Sequence, residues 1–231
     1  MTLELTLALL VFFGTHSGPA MPAMRTWLVD HLGRVPYLIS YSALSVVTVM
    51  WLILAKMRAP YIELWAPERW HYGLTLVAML LACILFVMVL IAPNPLSIGR
   101  QAIDERKPLS GLLAVTRHPL LWSLALWAGS HLLANGDAAS AILFGPLTAF
   151  CIVFMKIIDK RRKQQLGPEA WTMLSSPTSL VFFEAIVRGR ARLSVNGEAA
   201  LSIAGGLILF GLMLILHDDA FGVGPLWLWN F

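Results

Sequence analysis

The residues best equipped for chemistry lie between positions 116 and 137. Thr116-Arg117-His118-Pro119 opens an apolar run, Trp127 sits within it, and His131-Leu132-Leu133-Ala134-Asn135-Gly136-Asp137 closes it. Ionisable side chains in hydrocarbon are costly, so function is their default explanation. A neutral imidazole ligates metals, and a guanidinium holds carboxylate or phosphate. Pro119 suits a helical first turn, with Thr116 placed to cap it, and Asn135-Gly136-Asp137 supplies turn chemistry at the far end. His118 and His131 are 13 positions apart. On one helix that is roughly 20 Å along the axis and about 140° around it, so the two cannot ligate one small centre. His131 instead shares a face with Leu124, Trp127, Ala128 and Asn135. An aromatic wall, a small residue and a polar neighbour suit a flat ligand on that imidazole.

His16 is the other imidazole at membrane depth, within Phe12-Phe13-Gly14-Thr15-His16-Ser17-Gly18-Pro19. That stretch reads either as a ligand wedge or as a capped helix end. His118, at the mouth of its helix beside Arg117, reads as a holder of carboxylate, phosphate or propionate, or as a helix-start cap. His31 and His71 read as solvated loop or interface residues, and His217-Asp218-Asp219 either as a cation-binding group or as a helix-end cluster in water. Two neutral imidazoles on different helices facing a flat apolar cavity point to a bis-histidine haem site. Zinc wants three or four close polar ligands, which the sequence does not assemble. No Ser/His/Asp order, P-loop or Gly-x-Gly-x-x-Gly stands out. Cys83 and Cys151 both fall in apolar runs and read as buried thiols.

These residues must be carried by membrane helices. The chain has 231 residues, 58% hydrophobic and 13% charged, where a soluble domain carries about a quarter charged residues. Mean hydropathy is +0.74. The expected fold is an all-α polytopic membrane bundle of about six transmembrane helices: Leu3–Ala20, Tyr37–Lys56, Tyr72–Ala92, Pro119–Asn135, Ala138–Ile158 and Ala199–His217. The first segment lacks a basic start and reads as a retained helix rather than a cleaved leader. With six spans, all Lys and Arg fall on one side except Lys56, Arg58 and Arg69 of the 17. The positive-inside bias then places both termini in the periplasm of a bacterial inner membrane.

The basic surplus, formal net charge +4, is explained by that membrane side, and nucleic acid is not an expected partner. The residues from about 159 to 195 read as a basic cytoplasmic amphipathic segment leaning on the lipid bilayer. The aromatic tail Phe221–Phe231 reads as an interface anchor. The whole chain, 1–231, reads as one transmembrane domain.

Taken together, Thr116-Arg117-His118-Pro119, Trp127, His131 to Asp137, the upstream His16-Ser17-Gly18 and Asp159-Lys160-Arg161-Arg162-Lys163 resemble the NnrU family. The resemblance implies a role linked to denitrification, with nitrite and nitric oxide reductases as partners in expression or function. The family includes the plant ζ-carotene isomerase, a membrane haem b enzyme. By motif its two haem-ligating histidines fall on His16 and His131, and an apolar polyene is the implied substrate class. Its cysteine near the second ligand falls on Ala128, so a thiolate-switched isomerisation is not expected in that form. Arg117 and His118 are expected to steady a propionate. By the six-span topology His16 and His131 differ in depth by about 13 Å, and His118 matches the depth of His16 better, so it stands as the rival second ligand. Arg-His-Pro at a helix start also resembles membrane methyltransferases using S-adenosylmethionine. Their later acidic pair is replaced here by basic and amide residues at Arg161-Arg162-Lys163-Gln164-Gln165. A non-catalytic accessory protein for the reductases is the remaining alternative.

Overall fold

The computed structural model describes residues 2–17, 21–98 and 111–226. In chain order it contains α1 (Thr2–Ser17), α2 (Pro22–Leu32), α3 (Arg34–Arg58), α4 (Arg69–Ile91), a 3₁₀ turn (Gly111–Ala114), α5 (Pro119–Asn135), α6 (Ala138–Ser175), α7 (Glu184–Val187) and α8 (Gly197–Phe221). The protein is all-helical, and the one β feature among the described residues is an isolated bridge between Glu63 and Asp137. The charged loop residues Arg100, Asp104, Glu105, Arg106 and Lys107, and the end of the aromatic tail, lie outside the described residues.

Among the described residues four helices are long and apolar enough to cross a bilayer: α3, α4, α6 and α8. Only 17% of the most apolar window of α3 and of α8 is buried. Their exposed Val46, Val47, Met50, Leu207, Ile208 and Ile215 are the surface expected to face lipid. The expected count of six is not reached. α1 has 16 residues and α5 has 17, roughly 24–26 Å of helix against a hydrocarbon core of about 30 Å. Helix α2 fills a connection read from sequence as loop, with a proline in its first turn.

The chain divides into two compact units. The first, residues 1–66 and 135–146, packs α1 on α3. Leu5, Ala8 and Leu9 of α1 and Thr48, Leu52 and Ala55 of α3 are the buried faces, each at helical spacing. Arg58 Nη1 and Glu4 Oε1 pair at 3.1 Å across the two helices. Asp137 starts α6 here: its Oδ1 accepts from Ser140 N, its other oxygen from the Ser140 hydroxyl, and Lys56 Nζ lies 3.6 Å away. The preceding Gly136 has φ +65, and a Cβ there would sit 2.2 Å from the Trp65 carbonyl oxygen. Only glycine fits both the dihedral and the space.

The second unit, residues 67–134 and 147–231, is built on α4 packed against α8. Lipid tails are as apolar as leucine, so such helices associate by close packing of small residues rather than by the hydrophobic effect. Ser202 and Gly206 of α8 are buried, and a Cβ on Gly206 would lie 2.6 Å from Ile84 Cα. Leu121 and Ala125 of α5 pack with Cys151, Met155 and Ile158 of α6. Polar stitches join α4 to α5: Ser123 Oγ donates to the Ala82 carbonyl at 2.8 Å, and Thr75 Oγ1 to the Ser130 carbonyl at 3.1 Å.

The basic stretch near Asp159 opens no separate helix. It continues α6, which runs to Ser175 with a break at Gly167 (φ 78, ψ 168). Pro168 then occupies the first turn of the new segment, where its missing N–H costs nothing. Beyond Ser175 come turns, the four-residue α7 and an irregular stretch before Asn196, whose side chain caps α8 by accepting from Ala199 N at 2.9 Å.

Candidate functional site

Arg117 and His118 are brought together at the start of α5, on one carboxylate. His118 is fully buried. Its Nδ1 lies 2.8 Å from Ser97 Oγ and its Nε2 2.8 Å from Asp159 Oδ1. Arg117 Nε lies 3.6 Å from the other carboxylate oxygen, and its guanidinium carbon sits 5.6 Å from the Trp171 ring centre. Burial lowers the proton affinity of the guanidinium from its ordinary value, with Asp159 opposing that shift. Arginine remains a cation throughout. Its Nε is the one buried side-chain polar atom among the described residues without a hydrogen bond.

The backbone of the Arg-His-Pro turn is also held. Asn94 Nδ2 donates to the Arg117 carbonyl at 2.8 Å, Arg117 N donates to the Ser179 carbonyl at 2.9 Å, and His118 N donates to Thr116 Oγ1 at 3.3 Å. Trp122 Nε1 donates to the Leu180 carbonyl at 2.8 Å. Thr116 thus fixes the turn that leads into α5 rather than capping its first helical amides.

Ser97, His118 and Asp159 form a hydrogen-bonded series of hydroxyl, imidazole and carboxylate that sequence order did not reveal. Ser97 and His118 have no exposed surface, so no substrate carbonyl can reach the hydroxyl in this arrangement. The series works as an internal tie between the connection after α4, the start of α5 and the middle of α6. Both ring nitrogens of His118 are engaged, one with Ser97 and the other with Asp159. Arg117 and His118 are about 20 Å along the helix axis from His131.

His131 lies in the last turn but one of α5. Its Nδ1 donates to the Trp127 carbonyl at 2.8 Å. A ring whose Nδ1 faces a carbonyl oxygen carries its proton there, and in the neutral form the lone pair is on Nε2. The Trp127 ring centre is 5.7 Å away, and that of His217, on α8, is 6.3 Å away with ring planes at 30°. Ala128, where the resemblance places a cysteine, is fully buried.

His16 belongs to the first unit. Its Nδ1 donates to the Phe12 carbonyl at 2.9 Å, its ring stacks on Phe12 at 4.0 Å, and Tyr41 of α3 is 6.0 Å away. The same bond to the residue four before it holds His31, at 2.7 Å from the Trp27 carbonyl. His71 departs from its expected solvated state. It is buried, and its Nδ1 accepts from Glu68 N at 2.7 Å, closing a capping box at the start of α4.

Of the supporting residues, Asp159 enters the sequence reading only as part of a family motif, and Asn94, Ser97 and Trp171 carry no role there. Asp159 carried the clearest signal: it is the acid that opens a basic run, and a lone acid there asks for a specific partner. Asn94 precedes a proline and reads as a turn residue, and its bond to the Arg117 carbonyl is a long-range contact. Among the described residues no group of three or more His, Cys, Asp or Glu side chains is placed to hold a metal ion.

No curated protein and no solved structure matches the chain. The family model described as NnrU protein matches residues 4–225. That span includes the Arg-His-Pro turn, His16 and His131, and with it the chain is shown to belong to the NnrU family.

Proposed function

We propose that this NnrU protein is a haem b protein of the bacterial inner membrane, with His131 as an iron ligand and His16 as the second ligand implied by the family resemblance. The observation that supports this reading is the tautomer. Each of these imidazoles, on an apolar helix, donates Nδ1–H to a backbone carbonyl, at 2.8 and 2.9 Å. Metal-ligating histidines are oriented in this way, the carbonyl fixing the ring and raising the basicity of Nε2. The donor set therefore fits a haem iron, which would supply redox chemistry or an exchangeable coordination position. The chain's own work would be to hold that iron through imidazole, to wall the site with Trp127 and to exclude water with apolar helices. His118, committed to Ser97 and Asp159, fixes the helix start instead.

The chemistry served is a denitrification-linked role or isomerisation of an apolar polyene. With Ala128 in place of a cysteine, any isomerisation would not use a thiolate at that position. Absorption spectra of the purified full chain, expressed with ample haem, test the reading. The wild type is expected to show a Soret band that His131→Ala abolishes or shifts and that His31→Ala leaves unchanged. Colourless wild-type protein overturns it. A Soret band that shifts on adding a polyene favours the enzyme. A pigment without turnover, together with loss of reductase maturation on deletion, favours the accessory role. Binding of S-adenosylmethionine by colourless protein favours the methyltransferase alternative.

A further inference from the structure

We propose that residues 183–195 dock an anionic phospholipid of the surrounding bilayer, with Arg188 and Arg192 on its phosphate and Phe183 and Val187 against its acyl chains. This connection between α6 and α8 is fixed at the level where apolar helix surface ends. Leu180 packs against Cys151, Met155 and Ile158, at the end of the apolar stretch of α6. Phe182 packs against Leu85, Met88 and Ala92, toward the end of α4, and its ring centre is 4.4 Å from that of Trp122 in the first turns of α5. Phe183 N donates to the Val115 carbonyl at 3.0 Å. Arg190 Nη1 donates to the Ser176 carbonyl at 2.7 Å, so this arginine holds the connection itself together. At its far end the connection runs into Asn196, the cap of α8.

The outward face at that level is built for lipid rather than water. Val187 N donates to the Phe183 carbonyl and Arg188 N to the Glu184 carbonyl, so residues 183–188 make one helical turn. Ala185 is its buried side, and Val187, two residues on, lies about 160° around the turn from it. A turn facing water places polar side chains there. Here Val187 is 83% exposed, Phe183 49% and Val195 67%. Apolar residues rimmed by arginine are the pattern of a membrane interface. Residues 176–196 carry Arg188, Arg190 and Arg192 against one acid, Glu184. Arg188 pairs with Glu184 at 3.1 Å, yet its side chain stays 68% exposed, and Arg192 is exposed. Guanidinium donates well to phosphate oxygens, and basic side chains at a bilayer surface select anionic over zwitterionic lipid. An acidic protein would also satisfy the arginines, but a connection pinned beside the ends of apolar helix surface favours lipid.

The test uses the full chain in nanodiscs of phosphatidylcholine with and without phosphatidylglycerol. A spin label is placed on Val187→Cys, the native Cys83 and Cys151 being buried. With phosphatidylglycerol present, the label is expected to be reached by oxygen and shielded from a water-soluble nickel chelate. The unfolding temperature of the wild type is expected to rise relative to phosphatidylcholine alone, and the rise should shrink at high salt. Arg188→Gln together with Arg192→Gln should remove most of that rise. A label equally open to the chelate in both lipids overturns the proposal and leaves the surface to a soluble partner. A rise unchanged in the double variant also overturns it, because the lipid then acts elsewhere. Inorganic phosphate added to phosphatidylcholine nanodiscs is the remaining probe, and a rise equal to that given by phosphatidylglycerol overturns lipid as the occupant. If the double variant does not fold, the label on a chain with both arginines in place still decides.

Discussion

At the scale of single residues, Asp159 has the most to do. One carboxylate serves a fully buried imidazole and a mostly buried guanidinium. Removing one partner of such a group leaves the others desolvated, which is far costlier than never having built the pair. Asp159→Leu is therefore expected to destabilise the protein by about 3 kcal/mol, given hydrogen bonds to charged groups worth about 1.5–3 kcal/mol each. Thermal unfolding in detergent followed by circular dichroism checks this. Ser97→Ala removes only a neutral hydroxyl from Nδ1 of His118 and should cost about 1 kcal/mol. A larger loss for Ser97→Ala than for Asp159→Leu would contradict the assignment of the carboxylate as the hub. The two effects should be non-additive, since both substitutions act on one ring.

At the scale of elements, two glycines set where helices and turns can go. Gly206→Leu drives a side chain into Ile84, whose Cα lies 2.6 Å from the ideal Cβ position. The α4–α8 contact must open, and a loss of at least about 2 kcal/mol is expected, in the upper range of overpacking. Gly136→Ala meets the Trp65 carbonyl and demands a left-handed dihedral of a residue with a Cβ, so it should be worse tolerated than Gly211→Ala, whose Cβ meets open space. Relative yields of folded protein by size-exclusion chromatography rank the two.

The elements were also the most legible part of the sequence. Pro119–Asn135 was bounded correctly because proline and an Asn-Gly-Asp turn punctuate it, and α3, α4 and α8 declared themselves by apolar length. The continuation of α6 past Ile158 was hidden because charge was read as the end of the helix. A basic run ends the membrane-buried stretch without ending the hydrogen-bond ladder. His16 and His131 stand out in the sequence because an imidazole in an apolar run is unusual, whereas His217 reads with its two aspartates as a helix-end cluster. Its approach to His131 is a long-range contact that neighbours in sequence do not encode.

For the whole molecule, the number of bilayer crossings turns on the two short apolar helices. Four helices qualify outright, and the two short ones, α1 and α5, carry His16 and His131. Short helices are accommodated by local thinning of the bilayer or by snorkelling of flanking residues, and under the six-span reading both termini are periplasmic. Cysteine-labelling with a membrane-impermeant reagent checks this: sites introduced at Thr2 and Gly224 should react from outside intact cells, and one at Arg188 should not. Labelling of the two ends from opposite sides would refute the even count. The bend at Gly167 has a consequence for the Arg-His-Pro turn. Trp171 is 12 residues beyond Asp159, which in an unbroken helix is about 18 Å of rise. Yet its indole lies over the very guanidinium that Asp159 pairs with. The chain doubles back like a hasp, closing an aromatic shutter over a cation that would otherwise stand open to water. Straightening that hinge would hydrate Arg117 without touching any of the side chains that grip it.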